Sequence, residues 1–264
     1  MSERAIARAF AAARGRGRAA LLPYVTAGFP TADACGDLLL RLPGAGADLI
    51  EVGIPFSDPL ADGPTIQRST QRALEQGMTV PGALDLIRRA APAAPVVLMT
   101  YLNPILAYGV DRFLVDAAQV GVAGVLCTDL PAGSAPEIEG AIADSALDLV
   151  RLVAPTTPDD RLGAALARAG GFVYLISRLG VTGARADAPP DLERQVRRLR
   201  GVTPLPVAVG FGISTPAQVA AAARWVDGVV VGSALIDALG SGGIDAAERL
   251  LRSMAAELSL PGAA

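Results

Sequence analysis

Asp48-Leu49-Ile50-Glu51-Val52-Gly53 starts at an aspartate and is otherwise apolar but for Glu51 near its carboxyl end, and it opens into the loop Ile54-Pro55-Phe56-Ser57-Asp58-Pro59-Leu60-Ala61-Asp62-Gly63-Pro64. A near-continuous apolar run of this length marks a strand covered on both faces, as in a parallel sheet. Working outward in both directions, the same unit recurs. The runs are Leu21–Val25, Asp48–Val52, Pro95–Met99, Gly124–Thr128, Asp148–Val153, Phe172–Ile176, Pro206–Val209 and Gly228–Val231. Helical patterns follow around Thr31–Leu42, Pro81–Ala91, Val110–Val120, Ser134–Asp144, Pro158–Ala169, Pro190–Arg200, Thr215–Arg224 and Ile244–Leu258. Thr157-Pro158-Asp159-Asp160 and Ser214-Thr215-Pro216 join a capping residue to a first-turn proline, as helix starts do. Eight strand–helix units imply an α/β fold, a single (β/α)8 TIM barrel. The alternative, a doubly wound open sheet, usually has a glycine fingerprint at its first strand–helix turn; here that turn reads Thr26-Ala27-Gly28-Phe29-Pro30. Ile6, Phe10 and Ala13 share a stripe that predicts an extra N-terminal helix rather than an arginine-rich transit segment. The expected layout is one domain over 1–264: helix and loop 1–18, barrel 19–258, tail 259–264.

Composition limits the chemistry. Of 264 residues, 23 are Lys or Arg and 26 Asp or Glu, for a net charge of −3. Every one of those basic residues is Arg, and His is absent as well. Abundant Ala, Gly, Pro and Arg with one Asn (Asn103) point to a base-composition cause. Whatever the cause, a lysine Schiff base, an imidazole nucleophile system and a histidine metal site are all excluded. The mild acidity offers no footprint for nucleic acid or anionic membrane. Cys35 and Cys127 lack CxxC or zinc spacing and read as reduced cytosolic thiols. Apolar stretches end well short of the ~18 residues a membrane span needs.

In such a barrel, chemistry belongs to the loops at the carboxyl ends of the strands. Glu51 sits there on a buried strand, where a carboxylate costs free energy unless it is hydrogen-bonded or used in catalysis. Alternation places it on the same side as Leu49 and Gly53, toward the barrel mouth. Asp58 and Asp62 follow, with no Arg before Arg68. Burial should raise one carboxyl so that it can donate a proton while a more solvated one stays anionic. The structural alternative makes Asp58 and Asp62 solvated turn residues and Glu51 the buried partner of an arginine.

Three glycine-rich segments follow the last three strands: Gly180-Val181-Thr182-Gly183, Gly210-Phe211-Gly212-Ile213-Ser214 and Gly232-Ser233-Ala234. Backbone amides in such turns, together with a helix N-terminus, hold anions. Barrels commonly bind phosphate after strands seven and eight. The plainer alternative is three unrelated turns. Tyr24, Tyr101, Asp129 and Tyr174 also stand at strand ends, as binding residues or as core aromatics and a turn cap.

These segments resemble the tryptophan synthase alpha subunit family. The resemblance is carried in order by Leu22–Gly28, Glu51–Gln67 (with the highly specific PFSDPLADGPTIQ), Tyr101–Pro104, Asp129–Pro131, Ala154–Thr157, Gly180–Gly183 and Gly210–Ile213. It runs from about residue 3 to 258 and implies a cytoplasmic lyase of tryptophan biosynthesis that splits indole-3-glycerol phosphate into indole and glyceraldehyde 3-phosphate. By this resemblance Glu51 is the principal acid/base and Asp62 the carboxylate on the indole N–H. Gly183, Gly212, Gly232 and Ser233 hold the phosphate, and Tyr174, Thr182 and Phe211 belong to the substrate site. Asp58 belongs to the loop that couples to a beta subunit in an α2β2 complex. No metal or cofactor is implied in this chain, pyridoxal phosphate being confined to the beta partner. A free-standing lyase and a catalytically silent allosteric subunit are the alternatives; a phosphosugar isomerase would commonly use the Lys or His that are absent. Gly133–Pro136 and Ala184–Pro190 are less family-like.

Overall fold

The computed structural model describes residues 4–176, 191–210 and 212–258. Eight parallel strands close into a barrel in sequence order, and the last pairs with the first. They are β1 (Ala20–Thr26), β2 (Ile50–Gly53), β3 (Val96–Thr100), β4 (Val122–Cys127), β5 (Asp148–Val153), β6 (Val173–Ile176), β7 (Val207–Gly210) and β8 (Gly228–Val231). Each lies within two residues of its expected bounds, because a fully buried strand is marked in the sequence by the apolar run itself.

Among the described residues eleven α-helices accompany the barrel: α1 (Ala5–Gly15), α2 (Ala32–Arg41), α3 (Pro64–Glu75), α4 (Val80–Ala90), α5 (Leu102–Tyr108), α6 (Val110–Gln119), α7 (Pro136–Asp144), α8 (Asp159–Leu166), α9 (Leu192–Arg200), α10 (Pro216–Ala223) and α11 (Ser233–Ala255). Three features depart from the sequence reading. α3 and α5 were not expected as helices, and the last helix begins at Ser233, with a break at Gly243 (φ 70°, ψ −169°) before the expected Ile244 start. α3 carries no apolar stripe because its buried face is Ile66, Ser69, Thr70 and Ala73, mostly small and polar. Thr215 caps α10 as its sequence promised, in a reciprocal capping box with Gln218.

The extra helix α1 plugs the amino-terminal end of the barrel. Ile6, Phe10 and Ala13 are buried in one cluster with the inward residues Leu22, Leu49, Val97, Leu126, Val150, Phe172 and Val230. The Phe10 and Phe172 rings stand 5.5 Å apart. Arginines fasten the plug at its rim: Arg4 to Asp148 at 3.0 Å, Arg14 to Asp227 at 3.1 Å, and Arg16 and Arg18 to the buried Asp48, each at 2.5 Å. The floor of the barrel is thus apolar, and Tyr24, Glu51 and Thr26 lie toward the opposite mouth. The expected tail 259–264 lies outside the described residues. No described helix is long and apolar enough to cross a membrane.

Candidate active site

Parallel pairing sets the lowest polar layer of the mouth. Tyr24 of β1 is in register with Glu51 of β2, and Glu51 with Val97 of β3. One layer higher, Thr26 is level with Gly53. Gly53 has to lack a side chain, since a Cβ there would run into the Tyr24 hydroxyl. Gly210 on β7 does the same for Tyr174 of β6. The two tyrosines therefore lean over glycines on opposite sides of the barrel, leaving Glu51 beside β1.

Glu51 is 1 % exposed, and neither carboxylate oxygen has a hydrogen-bond partner. No arginine pairs with it among the described residues, whereas Asp58 is an exposed loop residue, as the structural alternative has it. Burial alone pushes its carboxyl up to about 8, so at neutral pH it is mainly a neutral acid. Asp62 stands on the loop between β2 and α3, half-buried, and burial lifts it to about 6 while the Tyr101 hydroxyl beside it pulls the other way. Two carboxyls are thus separated by environment into a proton donor and an anion, the arrangement acid–base chemistry needs. Tyr24 is held well above its usual range by burial, then by the charge of Asp62, with Glu51 adding to it. Tyr101 is raised by burial and by Asp62. Asp58 is exposed and accepts from the Ser57 hydroxyl at 2.8 Å, so it lies on the outer side of this loop and away from the buried layer.

The loop is held from below. The Tyr101 hydroxyl accepts the Ala61 amide at 3.0 Å, and the Phe56 ring packs on Tyr101 with centroids 5.2 Å apart. Asp129 accepts the Leu102 amide at 2.7 Å, tying the end of β4 to the start of α5. Tyr101 and Asp129 thus serve the loop and the helix start. The sequence alone leaves those roles level with core packing, because both depend on partners distant along the chain.

Of the residues expected at phosphate, Gly232 is the N-cap of α11 and Ser233 its first residue. First-turn amides have no acceptor within their own helix. Gly212 has a left-handed backbone (φ 89°) and sits in the loop before α10. The structure brings Gly232 within van der Waals range of Tyr24, whose Cβ would lie 3.6 Å from an added Gly232 Cβ. Phosphate-type amides and the carboxylate layer therefore share one mouth. Thr182, Gly183 and Phe211 fall outside the described residues. No cluster of three or more metal-ligating side chains occurs among the described residues.

The family model described as tryptophan synthase alpha chain matches residues 10–260. The tryptophan synthase alpha chain of Gluconacetobacter diazotrophicus is 49 % identical over 261 residues, covering 95 % of each chain. That of Acidiphilium cryptum is 50 % identical over 240 residues, 90 % of this chain and 87 % of the relative. Among solved structures, Mycobacterium tuberculosis tryptophan synthase superposes with a TM-score of 0.90 at 39 % identity, over 98 % of this chain and 100 % of the other. The Legionella pneumophila alpha subunit superposes with a TM-score of 0.88 at 33 % identity, over 97 % and 98 %. The chain belongs to the tryptophan synthase alpha chain family.

Proposed function

We propose that Glu51 and Asp62 carry the family's lyase reaction in this chain, the cleavage of indole-3-glycerol phosphate to indole and glyceraldehyde 3-phosphate in tryptophan biosynthesis. The observation that carries this assignment is Glu51: a buried, unpartnered carboxyl, raised to about 8, at the mouth of an otherwise apolar barrel. Glu51 donates its proton to the ring carbon that bears the glycerol chain. Asp62, as the anion, accepts the indole N–H and stabilises the positive charge that appears on the ring. The Glu51 carboxylate then takes the proton of the adjacent chain hydroxyl. That oxygen becomes the aldehyde carbonyl, the carbon–carbon bond breaks, and its electron pair returns to the ring to give neutral indole. The protonated ring is the electron sink, which a chain without Lys needs in place of an imine.

The amides of Gly212, Gly232 and Ser233 hold the phosphate, with Gly183 completing the cradle and Tyr174, Thr182 and Phe211 lining the substrate. Asp58 and the 92 %-exposed Leu60 lie on the loop that carries Asp62, and this loop is the proposed contact with a beta subunit that holds the pathway's pyridoxal phosphate. The buried free thiols Cys35 and Cys127 suit a cytoplasmic protein.

The test is indole release from indole-3-glycerol phosphate across pH, with and without a beta chain. Asp62 must be ionised and Glu51 protonated, so turnover falls below about 6 and above about 8. Addition of the beta chain should raise the rate markedly. Absence of indole removes the lyase assignment, and full activity alone removes the coupling.

A further inference from the structure

Three hydroxyls run away from the catalytic layer beneath Asp62's loop. Thr26 Oγ1 lies 3.4 Å from Tyr24 Oη and 2.7 Å from Ser69 Oγ, and the Ser69 hydroxyl donates to the Ile66 carbonyl at 2.8 Å. All three residues are buried, at 6 % exposure or less. Each hydroxyl has one hydrogen and can also accept. The Thr26 hydroxyl donates to Tyr24, so the hydrogen in its 2.7 Å contact with Ser69 is supplied by Ser69, which alternates between Thr26 and the Ile66 carbonyl. The Ile66 carbonyl keeps its helical partner in either case. With a lone pair of its oxygen taken by Thr26, the Tyr24 hydrogen is left to face the barrel.

The neighbour with a use for that hydrogen is Glu51, in register with Tyr24 on the adjacent strand and without a partner of its own. We propose that Tyr24, backed by Thr26 and Ser69, is a positioning residue for Glu51: its hydroxyl, its oxygen held by the Thr26 donation, donates to the carboxylate left after proton transfer. No proton leaves the tyrosine oxygen, and Glu51 reaches Tyr24 by turning its side chain toward β1. Among the described residues, Tyr24 and, on the far side over Gly210, Tyr174 interact with Glu51, and Asp62 and Tyr101 interact with Tyr24 in turn. The other inward side chains of the layer, from Val97 round to Val230, are apolar.

This role rests on Glu51 as the acid, so the test reads Glu51 directly as well as turnover. The carboxyl stretch that disappears in Glu51→Gln is followed by difference infrared spectroscopy across pH in the parent, Tyr24→Phe and Ser69→Ala. A charge-assisted hydrogen bond is stronger than a neutral one. Tyr24→Phe should therefore move the titration up by about half to one pH unit and lower kcat about ten-fold with KM within about two-fold. Ser69→Ala leaves Thr26 donating to Tyr24 and should move the titration by less than about 0.3 pH unit. An unmoved band in Tyr24→Phe, or a shift in Ser69→Ala as large as that in Tyr24→Phe, overturns the proposal. If Ser69→Ala does not fold, Tyr24→Phe decides alone. A parent that makes no indole removes the lyase assignment, while the infrared titration still decides the Tyr24–Glu51 link.

Discussion

Glu51→Gln should abolish turnover and stabilise the protein at alkaline pH, and the second effect can be worked out from the site. In the folded chain the Glu51 carboxyl titrates near 8, against 4.5 when unperturbed, and burial is the cause. Between those values the native state holds a proton that the unfolded chain has released. Stability is therefore full below the unfolded value and falls as pH rises toward the folded one. At about 1.4 kcal/mol per pH unit, the whole window is worth about 5 kcal/mol, and about 4 kcal/mol of it is lost between pH 5 and pH 9. Glutamine keeps the shape and a buried polar end but does not titrate, so the variant should not lose that part. Asp62 also titrates above its ordinary value, but it does so in both proteins and cancels in the comparison. Urea unfolding followed by circular dichroism at pH 5, 7 and 9 gives both curves. The parent should lose about 4 kcal/mol more than Glu51→Gln across the range. Parallel curves would show that Glu51 already ionises in the folded chain near its ordinary value, and the acid role would go with it.

Two further outcomes follow from the same geometry. A Cβ on Gly232 would meet nothing closer than Tyr24 at 3.6 Å, so Gly232→Ala should fold normally yet place a methyl where the phosphate approaches. KM should rise about ten-fold, or about 1.4 kcal/mol, and an unchanged KM would move the phosphate elsewhere. Arg151 and Glu139 form a buried ion pair that also anchors the loop after β4, through the Leu130 carbonyl at 3.0 Å and the Gly133 amide at 2.7 Å. Arg151→Met strands a buried carboxylate and should cost about 3 kcal/mol in a denaturant titration. Adding Glu139→Gln, which removes the charge and still accepts from Gly133, should recover part of that loss; no recovery would locate the cost in packing.

The barrel was readable because its strands are buried on both faces, so that each announces itself as an apolar run whatever its neighbours are. Asp148–Val153 and Gly228–Val231 were read to the residue. The plug helix α1 was legible from Ile6, Phe10 and Ala13, although its seat beneath Phe172 was not. α3 was not legible at all, because its inward face is built from Ser69, Thr70 and Ala73, whose burial depends on what lies opposite.

Glu51 announced itself on the same logic: an ionisable group within an apolar run is costly wherever the chain goes. The absence of Lys and His likewise confines proton transfer to Asp, Glu, Tyr or Cys. The environment of each carboxyl belongs to the tertiary structure. Asp58 and Asp62 lie four positions apart on one loop, yet one is exposed and the other half-buried beside Tyr101, because β3 brings Tyr101 up beneath only one of them. The hydroxyl chain is of the same kind: Thr26 and Ser69 are 43 positions apart and meet at 2.7 Å only after α3 packs on β1. Sequence carries the cost of burying a group, which is local. A proton's affinity depends on desolvation and on partners, which are set by distance in space, and only the closed barrel supplies those distances.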